Sequence, residues 1–507
     1  MQPNIADLAN RLGAAGIRLW RQGDRLHYEA ARGAVTAELL QEMHAHKSEL
    51  LELLRAASDT LQARQQPRFG RVERLWVDGR ATMPVSATQQ RLWFLHQLDQ
   101  TGCTYNVPKA VRLRGALNLE ALQHALPQII ARHESLRTSF VARRGTPVQI
   151  IHEWVEFALA EDDVSARPDR LAAARGLATR EAEPPFDLSC APLLRARLIR
   201  LAADDHILAI VLHHIVADGR SLEILFEELA ALYGGSGVRP APTLQYADYA
   251  AFEEQWLVSG ALDAKIAWWS DRLADAPTML QLPTERPRPA MQSFAGDMER
   301  FALSVDAIAA LRRAAAESGA SLYMAVIAAL GTVLSRWSGQ NKIAIGCPVE
   351  NRTFPETARL IGAFANTVVL PVAVDETCSF AALLARLRDA ALEAYDRQEV
   401  PIEKLIEVMH PERNPSASPL FQVAVSSLDG RKGFPALPGI ATEPFEFTFQ
   451  HVKFDINLEL YETDRDLHVA WFYSTALFDR DTITRSISRT KWPIMRVIVS
   501  RSNSAVL

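Results

Sequence analysis

The sequence predicts an α/β protein in which two α/β halves face a shared cleft, preceded by a small α/β unit with a β-hairpin. Helix-like and strand-like segments alternate through most of the 507 residues, as expected for an α/β fold. The proline-rich stretch QLPTERPRPA, residues 281–290, divides these segments into two groups. Residues 1–56 carry a separate helix–hairpin–helix pattern. The length is sufficient for several folding units, and a cleft between units is a common ligand site.

The small N-terminal unit is predicted from three consecutive patterns. IADLANRLGAAG has apolar residues at helical spacing and stops at glycine. GIRLWRQGDRLHYEA alternates partly around Gly23–Asp24, which predicts a hairpin. TAELLQEMHAHKSELLELL is an amphipathic helix pattern with Thr36 as its N-cap. Residues 57–81 are polar and weakly patterned, and we expect them to form a linker.

The first large half is predicted from alternating helical and strand patterns. In chain order these are the helix SATQQRLWFLHQL with Ser86 as N-cap, the strand KAVRLRG, the helix LNLEALQHALPQIIARHESLR, the hairpin TSFVARRGTPVQIIHEW and the buried strand HILAIVLHH. Pro127 lies inside the second helix and is expected to interrupt or kink it. The hairpin is expected to turn at Arg144–Gly145.

The second large half shows the same alternation. It contains the apolar helix ASLYMAVIAALGTVLSRWSG, the strand KIAIGCPVENR running into a loop, the strand GAFANTVVLPVAV, the long helix FAALLARLRDAALEAYDRQ, and the strand segments PLFQVAVSSL and DINLELYETDRDLHVAWFYST. The sequence has no short-period repeat.

Composition excludes several classes of function. A net charge of -5 with mixed signs does not indicate a nucleic-acid surface. No signal peptide is indicated, and no apolar run approaches the roughly 20 residues that span a bilayer, so no membrane partner is expected. The cysteines are scattered without CxxC spacing, which indicates reduced thiols in the cytoplasm rather than a disulfide or zinc framework. They are Cys103, Cys190, Cys347 and Cys378.

The stretch VLHHIVADGRSLEIL carries the candidate chemistry. His213 and His214 end an apolar strand, and Asp218 and Gly219 precede a helical pattern. Neighbours on a strand point to opposite faces, so the two histidines cannot easily ligate one ion, and no HExxH or nearby cysteine supports a metal. One imidazole can instead face the cleft and serve proton transfer while the other packs behind it. A purely structural pair of histidines remains an alternative at this point.

HHIVADG fits the pattern HHxxxDG, and six further stretches fit an ordered set of motifs around it. They are SATQQRLWFLHQL, RHESLRTSF, YADYAAFEEQW, IGCPVENRTFPETARLIGAFANTVVL, RQEVPIEKLIEVMHPERNPSASPLFQV and KFDINLEL. With these motifs the chain resembles the condensation domains of nonribosomal peptide synthetases, which are members of the chloramphenicol-acetyltransferase-like superfamily. The resemblance covers about residues 82 to 485 and departs at Thr88, where alanine is common, and at Arg220, where an aromatic or aliphatic residue is common.

This resemblance implies an α/β fold of two chloramphenicol-acetyltransferase-like lobes around a central tunnel, preceded by a small α/β docking domain with a β-hairpin. The expected boundaries are 1–56 for the docking domain, 57–81 for the linker, 82–265 for the N-terminal lobe, 266–485 for the C-terminal lobe and 486–507 for a tail that departs from the family pattern.

The resemblance also implies a reaction. Two acyl groups arrive as thioesters on the 4′-phosphopantetheine arms of upstream and downstream carrier proteins, and the acceptor amine attacks the donor thioester to form an amide. No cofactor or metal bound directly is implied, and an adenylation domain is normally adjacent. His214 would border the reacting atoms as proton acceptor, amine-orienting group or stabiliser of the intermediate, with His213 in support. Gly219 would keep the donor side of the tunnel open.

Three further residues are implied to support the site. Asp218 would be structural and paired with Arg352 of PVENR, and loss of one partner of such a pair costs about 3–5 kcal/mol. Asn366 of GAFANT matches a family asparagine near the active centre, and a loop-capping amide is the alternative role.

Residues 1–56 resemble the TubC-type docking domains, which implies that they bind the C-terminal segment of an upstream synthetase subunit. The free edge of a two-stranded hairpin can accept a peptide strand. A solvated basic face is the alternative role for the arginines, and Arg32 is a further basic group. The expected binding residues are Arg18, Leu19, Arg21, Arg25, Leu26 and Tyr28.

Other functions remain open from the sequence. They are a catalytically silent scaffold that recruits carrier proteins, epimerisation, and acyl transfer to a soluble amine or alcohol. Heterocyclisation is disfavoured because that branch of the family replaces the paired histidines with an aspartate motif.

Overall fold

The structure is a computed structural model that divides into two compact units, residues 1–70 and 71–507. It describes residues 8, 12, 18–22, 25–29, 39, 42, 43, 46, 47, 49–52, 70–77, 79–99, 102–235, 237, 240–375, 377–412, 414–429, 434–448, 450–463 and 466–485. The predicted turn at Gly23–Asp24, the N-cap at Thr36, the basic Arg32 and the tail 486–507 lie outside the described residues.

The small unit contains the predicted hairpin. Strand β1 (Arg18–Gln22) pairs antiparallel with β2 (Arg25–Glu29), with Leu19 opposite Tyr28. The helical predictions on either side agree with the described residues, since Leu8 and Leu12 are helical and Leu50 N–H donates to the His46 carbonyl. Four leucine or methionine side chains of this unit are buried, which provides it with an apolar interior: Leu8, Leu12, Met43 and Leu50.

The remaining strands belong to the large unit. They are β3 (Leu75–Val77), β4 (Arg80–Pro84), β5 (Asn106–Arg114), β6 (Thr138–Arg143), β7 (Thr146–Ile151), β8 (Ala160–Asp163), β9 (Leu194–Ala202), β10 (Asp205–His213), β11 (Gly296–Ala302), β12 (Lys342–Val349), β13 (Asn366–Ala373), β14 (Val423–Asp429), β15 (Ala441–Pro444), β16 (Ile456–Glu462) and β17 (Leu467–Ser474). They form sheets of order β15-β5-β10-β9-β8, β11-β17-β16-β14-β12-β13 and β3-β4-β7-β6.

The helices of the large unit cover the faces of these sheets. They are α1 (Ala87–Leu98), α2 (Leu119–Arg132), α3 (Arg170–Ala182), α4 (Gly219–Tyr233), α5 (Tyr246–Val258), α6 (Asp263–Leu273), α7 (Val305–Glu317), α8 (Leu322–Ser338), α9 (Phe380–Tyr395) and α10 (Ile402–Met409), with 3₁₀ turns at Glu134–Arg137 and Pro355–Thr357. The α/β fold class predicted from the alternating pattern is confirmed.

Strand β10 lies at the centre of the five-stranded sheet and is covered on both faces. Leu208, Ile210 and Leu212 pack in one apolar cluster with residues of α2 and α4. Ile207 and Ala209 face the other side, in a cluster with residues of α3. A strand buried on both faces is a nearly continuous apolar run, which is why the strand HILAIVL was recognisable from the sequence.

The six-stranded sheet is built entirely from residues after 295 and is covered by α8, whose residues 324–334 are all buried. One strand crosses between the halves. β15 lies at residues 441–444 of the expected C-terminal lobe, yet it pairs with β5 of the first half, with Ala441 opposite Arg114. The pairing of β15 with β5 connects the two halves by backbone hydrogen bonds.

Two sequence expectations differ from the structure. Pro127 does not interrupt α2, which runs through it, and the alternative expectation of a kink stays a prediction. Proline has no backbone N–H, so Pro127 cannot donate to the carbonyl of Gln123. Both residues are exposed, and water can therefore hydrogen-bond to that carbonyl. The end of the expected linker 57–81 is also structured, because Arg74 donates to Asp248 at 2.7 Å and to Glu134 at 2.6 Å.

The predicted hairpin at Arg144–Gly145 is confirmed, and both residues have positive φ, 51° and 84°, as a two-residue turn of type I′ requires. Among the described residues no single helix combines the length and apolarity needed to cross a membrane. Within the part of the chain that the structure describes, only α7 and α8 taken together, with a bend of 106° between them, reach that length and composition.

Candidate functional site

A large cavity lies at the end of strand β10. Its volume is about 1740 Å³, and both His213 and His214 contribute to its lining. Its walls come from α1, from residues 102–105 before β5, from α10 with the loop that follows it, and from residues 453–454. The cavity therefore brings together elements that are far apart in the sequence.

His213 is the last residue of β10 and is 3% exposed. Its Nδ1 accepts a hydrogen bond from the Ile215 N–H at 3.1 Å, and the rings of His96 and Phe186 lie edge-on at 5.9 and 6.1 Å. Burial, reinforced by nearby positive charges such as Lys453, lowers the pKa of His213 to about 3. The imidazole is therefore neutral at physiological pH and serves as a packed hydrogen-bond acceptor.

His214 follows immediately and has a different environment. Its N–H donates to the Tyr105 carbonyl at 2.8 Å, and the residue is partly exposed where it lines the cavity. Its Nδ1 has no hydrogen-bond partner. Burial lowers the pKa of His214 well below its ordinary value, and the charge of Lys453 adds to that effect. The site thus presents a neutral imidazole.

Asp218 is the N-cap of α4 and is 2% exposed. Its carboxylate accepts hydrogen bonds from the Ser221 N–H at 2.8 Å, the Ser221 hydroxyl at 2.7 Å, and the N–H groups of Phe364 and Ala365 at 3.1 and 3.2 Å. Arg352 Nη2 donates to it at 3.1 Å. These donors come from both halves of the chain, so the carboxylate connects them.

Arg352 is held as firmly as Asp218. Its Nη1 donates to the carbonyls of Thr357 and Leu360 at 2.5 and 2.8 Å. Its guanidinium carbon lies 4.2 Å from the centre of the Phe364 ring. The structure thus brings Asp218 and Arg352 together as a buried ion pair. Most of their remaining polar atoms also have hydrogen-bond partners.

Gly219 and Asn366 occupy contrasting surroundings. Gly219 is the first residue of α4, and beyond its chain neighbours and the backbone of its own helix no atom lies within 4 Å of the position that a Cβ would take there. Asn366 begins β13 and lines the cavity, but its amide donates to the carbonyls of Gln398 and Val400, each at 2.7 Å, and accepts from the Ile402 N–H at 3.1 Å. Asn366 therefore caps the segment that leads into α10.

Four further residues of this region were not recognised from the sequence. Arg91 lines the cavity and donates to Glu403 of α10 at 2.6 Å. Tyr105 supplies the carbonyl that binds His214, and Lys453 lies over the Tyr105 ring. The only signal for any of them was that Arg91 is the single lysine or arginine in ATQQRLWFLHQL.

The expected docking residues lie on the hairpin, with Arg18, Leu19 and Arg21 on β1 and Arg25, Leu26 and Tyr28 on β2. In the part of the chain that the structure describes, no three His, Cys, Asp or Glu side chains are grouped as metal ligands.

Comparisons with known proteins agree with this architecture. The profile of the Condensation domain family matches residues 80–503, and that of the TubC N-terminal docking domain matches residues 5–56. A linear gramicidin synthase polypeptide of Brevibacillus parabrevis is 41% identical over 433 residues, which is 84% of this chain and 6% of that protein. The chain therefore spans only a small part of this relative's length.

Solved structures show the same fold. The X-domain from teicoplanin biosynthesis is 28% identical, with a TM-score of 0.77 over 86% of this chain and 98% of that one, and it has also been solved as a complex with OxyB. A four-domain nonribosomal peptide synthetase bound to AMP and glycine has a TM-score of 0.77 at 20% identity, over 86% of this chain and 34% of that one.

The buried ion pair is expected to control stability. Asp218→Asn and Arg352→Met should each lower the free energy of unfolding by about 3–5 kcal/mol, because each leaves its partner charged and unpaired in the interior. The loss of free energy of unfolding in the double variant should be smaller than the sum of the losses in the two single variants. Urea unfolding followed by tryptophan fluorescence measures all three values. The exposed pair Arg167–Asp169, at 3.0 Å, is the control, and its double substitution should leave the midpoint unchanged. Additive losses at Asp218 and Arg352 would contradict the assigned coupling.

The buried His213 is expected to make the protein less stable in acid. Above the ordinary histidine pKa the imidazole is neutral in both states. Below it the unfolded chain binds a proton that the folded protein takes up only near pH 3, so stability falls as the pH falls through that window. Between about pH 7.5 and pH 5, the titration of His213 should lower the free energy of unfolding by about 2 kcal/mol. Urea midpoints of the wild type and His213→Gln at both pH values test this, and an equal pH dependence in the two proteins would refute it.

Proposed function

Because the chain belongs to the Condensation domain family, whose profile matches residues 80–503, we propose that it forms amide bonds between two carrier-bound substrates. The donor is an acyl thioester and the acceptor is an amine, and each is delivered on the 4′-phosphopantetheine arm of a carrier protein. The partners are therefore an upstream and a downstream carrier protein, with an adenylation domain adjacent in the complete synthetase. The enzyme class is that of a peptide-bond-forming acyltransferase.

The observation that carries this proposal is the position of His214. Its imidazole is neutral and lines a cavity of about 1740 Å³. An imidazole in this state can accept a proton or a hydrogen bond from an incoming amine. A cavity of this size has room for two pantetheine arms that meet beside the ring.

The chemistry needs little more than orientation. The amine nitrogen attacks the thioester carbonyl carbon, the new C–N bond forms, the C–S bond breaks, and the proton lost by nitrogen reaches the departing thiolate. A thioester is already activated, and holding two reactants in line contributes roughly 7–11 kcal/mol to well-oriented reactions. In this proposal His214 orients the amine and accepts its proton or hydrogen bond.

The neighbouring residues hold His214 in place. His213 anchors the end of β10 through its buried ring, and the pair of Asp218 with Arg352 holds the start of α4 against the second half. Gly219 leaves space beside that helix start, which we assign to the donor arm. Asn366 fixes the segment before α10.

A silent recruitment scaffold is the second candidate function. It is favoured by the resemblance to the teicoplanin X-domain, which has been solved in complex with OxyB. The intact HHIVADG sequence and the assembled cavity favour catalysis over this alternative.

We further propose that residues 5–56, which match the TubC-type docking domain, bind the C-terminal segment of an upstream synthetase polypeptide. The two-stranded sheet β1–β2 can accept a third strand through backbone hydrogen bonds. Arginines on both strands would attract an acidic segment.

Substitution of His214 tests the catalytic proposal. With loaded donor and acceptor carrier proteins, the wild type should form a dipeptidyl product on the acceptor carrier, and His214→Ala should form it about 10²–10⁴ times more slowly. Mass spectrometry of the carrier-bound product measures both rates. His468→Ala, at an exposed histidine of β17, is the matched control and should retain the wild-type rate.

Other outcomes separate the alternatives. If carriers that are verified as loaded give no product with the wild type, the scaffold function is favoured. Uptake of solvent deuterium at the donor α-carbon without condensation would indicate epimerisation, and turnover with a carrier-free amine would indicate a simpler acyltransferase.

The docking proposal is tested with the full chain and a fluorescent peptide that copies the C-terminus of the upstream polypeptide. The double substitution Arg18→Glu with Arg21→Glu should weaken binding by about tenfold or more and reduce its salt dependence, because two attractive charges are reversed. Arg170→Glu, at an exposed arginine of the large unit, should bind like the wild type. Equal affinity in the double variant would refute the assigned surface.

A further inference from the structure

Lys453 contributes a cation to the lining of the cavity, close to the paired histidines. Its Nζ lies 5.4 Å from the centre of the Tyr105 ring, and the Tyr105 carbonyl accepts the hydrogen bond from His214 N–H. Lys453, Tyr105, His213 and His214 all line the same cavity. The lysine is therefore held beside the proposed reaction centre by an aromatic ring rather than by a carboxylate.

The charges that act on His214 from this lining are positive, because Lys453 and Arg91 both help to lower its pKa. Arg91 lines the cavity as a second cation, and the carboxylate beside it, Glu403, already accepts the Arg91 hydrogen bond at 2.6 Å. On the lysine's own side, Asp455 is buried in an ion pair with Arg288. Glu459 of β16 offsets part of the Lys453 charge.

The other carboxylates of the lining lie along the α1 and α10 walls. They are Asp99 at the end of α1 and Glu407 and Glu412 at or after α10, and Glu407 is paired with Lys404 at 3.0 Å. His96 of α1 and His410 after α10 complete the titratable groups. The centre between Lys453 and His214 is thus bordered by two cations and neutral imidazoles.

We propose that the Lys453 ammonium, together with the Arg91 guanidinium, keeps the acceptor amine of the condensation reaction in its neutral, nucleophilic form. This inference rests on the proposed function, and it assigns to Lys453 an electrostatic positioning role. An α-ammonium group beside two cations is destabilised relative to the free amine, since like charges at a few ångströms in a partly buried site repel strongly.

The proton balance is simple. The acceptor ammonium releases one proton to solvent when it enters the cavity, and the neutral amine then attacks the thioester carbonyl. The second proton of the nitrogen leaves as the C–N bond forms and ends on the departing pantetheine thiolate. Lys453 donates no proton and forms no bond in this sequence, so it is not a general base.

Burial lowers the pKa of Lys453 to about 8, with Arg91 as a further cause, and the group still carries its charge at neutral pH. The same charge helps to keep both histidines neutral. Acceptor amine and imidazole are therefore both available in the form that the reaction needs.

A binding experiment without turnover tests the inference directly. The probe is a ¹³C-labelled glycyl amide of the pantetheine analogue in which an amine replaces the thiol, so that glycine is held by a stable amide bond. Its α-amine is titrated by NMR in the presence of the full chain. The bound amine should have a pKa about one unit below that of the free probe, as expected for the repulsion of a unit charge at such distances. Lys453→Met should abolish most of this shift, and Lys453→Arg should restore it.

Lys109→Met is the matched control. Lys109 of β5 is an exposed lysine that also lies near an aromatic ring, with its Nζ 5.3 Å from the Phe434 ring centre, but it is not part of the cavity lining. The bound amine should titrate identically in this variant and in the wild type. Equal amine pKa values in the wild type and in Lys453→Met, or a probe that does not bind the wild type, would overturn the inference.

The pH dependence of the condensation rate provides a second test of the role of Lys453. The acid limb of the rate profile should move to higher pH by about one unit in Lys453→Met and stay in place in Lys453→Arg. A uniform loss of rate at every pH, with the limb unmoved, would show that Lys453 acts in another way. A wild type that forms no amide would refute the proposed function, while the amine titration would still decide the role of Lys453.

Discussion

The carboxylate of Asp218 is the interaction on which the arrangement of the site depends. It caps α4, which follows the histidine pair by a few residues, and it binds donors from Ser221, Arg352, Phe364 and Ala365. An ionised carboxylate in the interior is tolerated only when its hydrogen-bonding positions are filled and its charge is balanced. That requirement fixes the start of α4, the turn after β10 and the loop from 352 to 365 relative to one another.

The electrostatic character of the cavity follows from the same organisation. Two histidines are held neutral by burial, one packed behind the strand end and one lining the cavity, while Arg91 and Lys453 supply positive charge. The carboxylate nearest to Arg91, that of Glu403, is already engaged by it. A site of this kind favours neutral nucleophiles over ammonium ions. In the proposed reaction, the same charges therefore influence both the binding of the acceptor and the deprotonation of its amine.

Local patterns predicted a large part of this fold because local physics decides it. The strand HILAIVLHH, the turn at Arg144–Gly145 and the Ser86 cap each express a preference contained within a few residues. Arg74, by contrast, is ordered by carboxylates 60 and 174 residues away. The strand at 441–444 is formed by pairing with a strand of the other half. Such long-range partners leave no periodic signal in the sequence.

The features of the candidate site also divide into those set by local sequence and those set by long-range contacts. The sequence by itself determined that two histidines would end a buried strand and that an aspartate would begin the next helix, since periodicity and capping are local. Tertiary structure alone decided which imidazole lines the cavity and that Asn366 is engaged by the segment before α10. It also placed Lys453 over Tyr105, although these two residues belong to opposite halves of the chain. The physical reason is that burial and charge are properties of the assembled environment, and no short segment contains them.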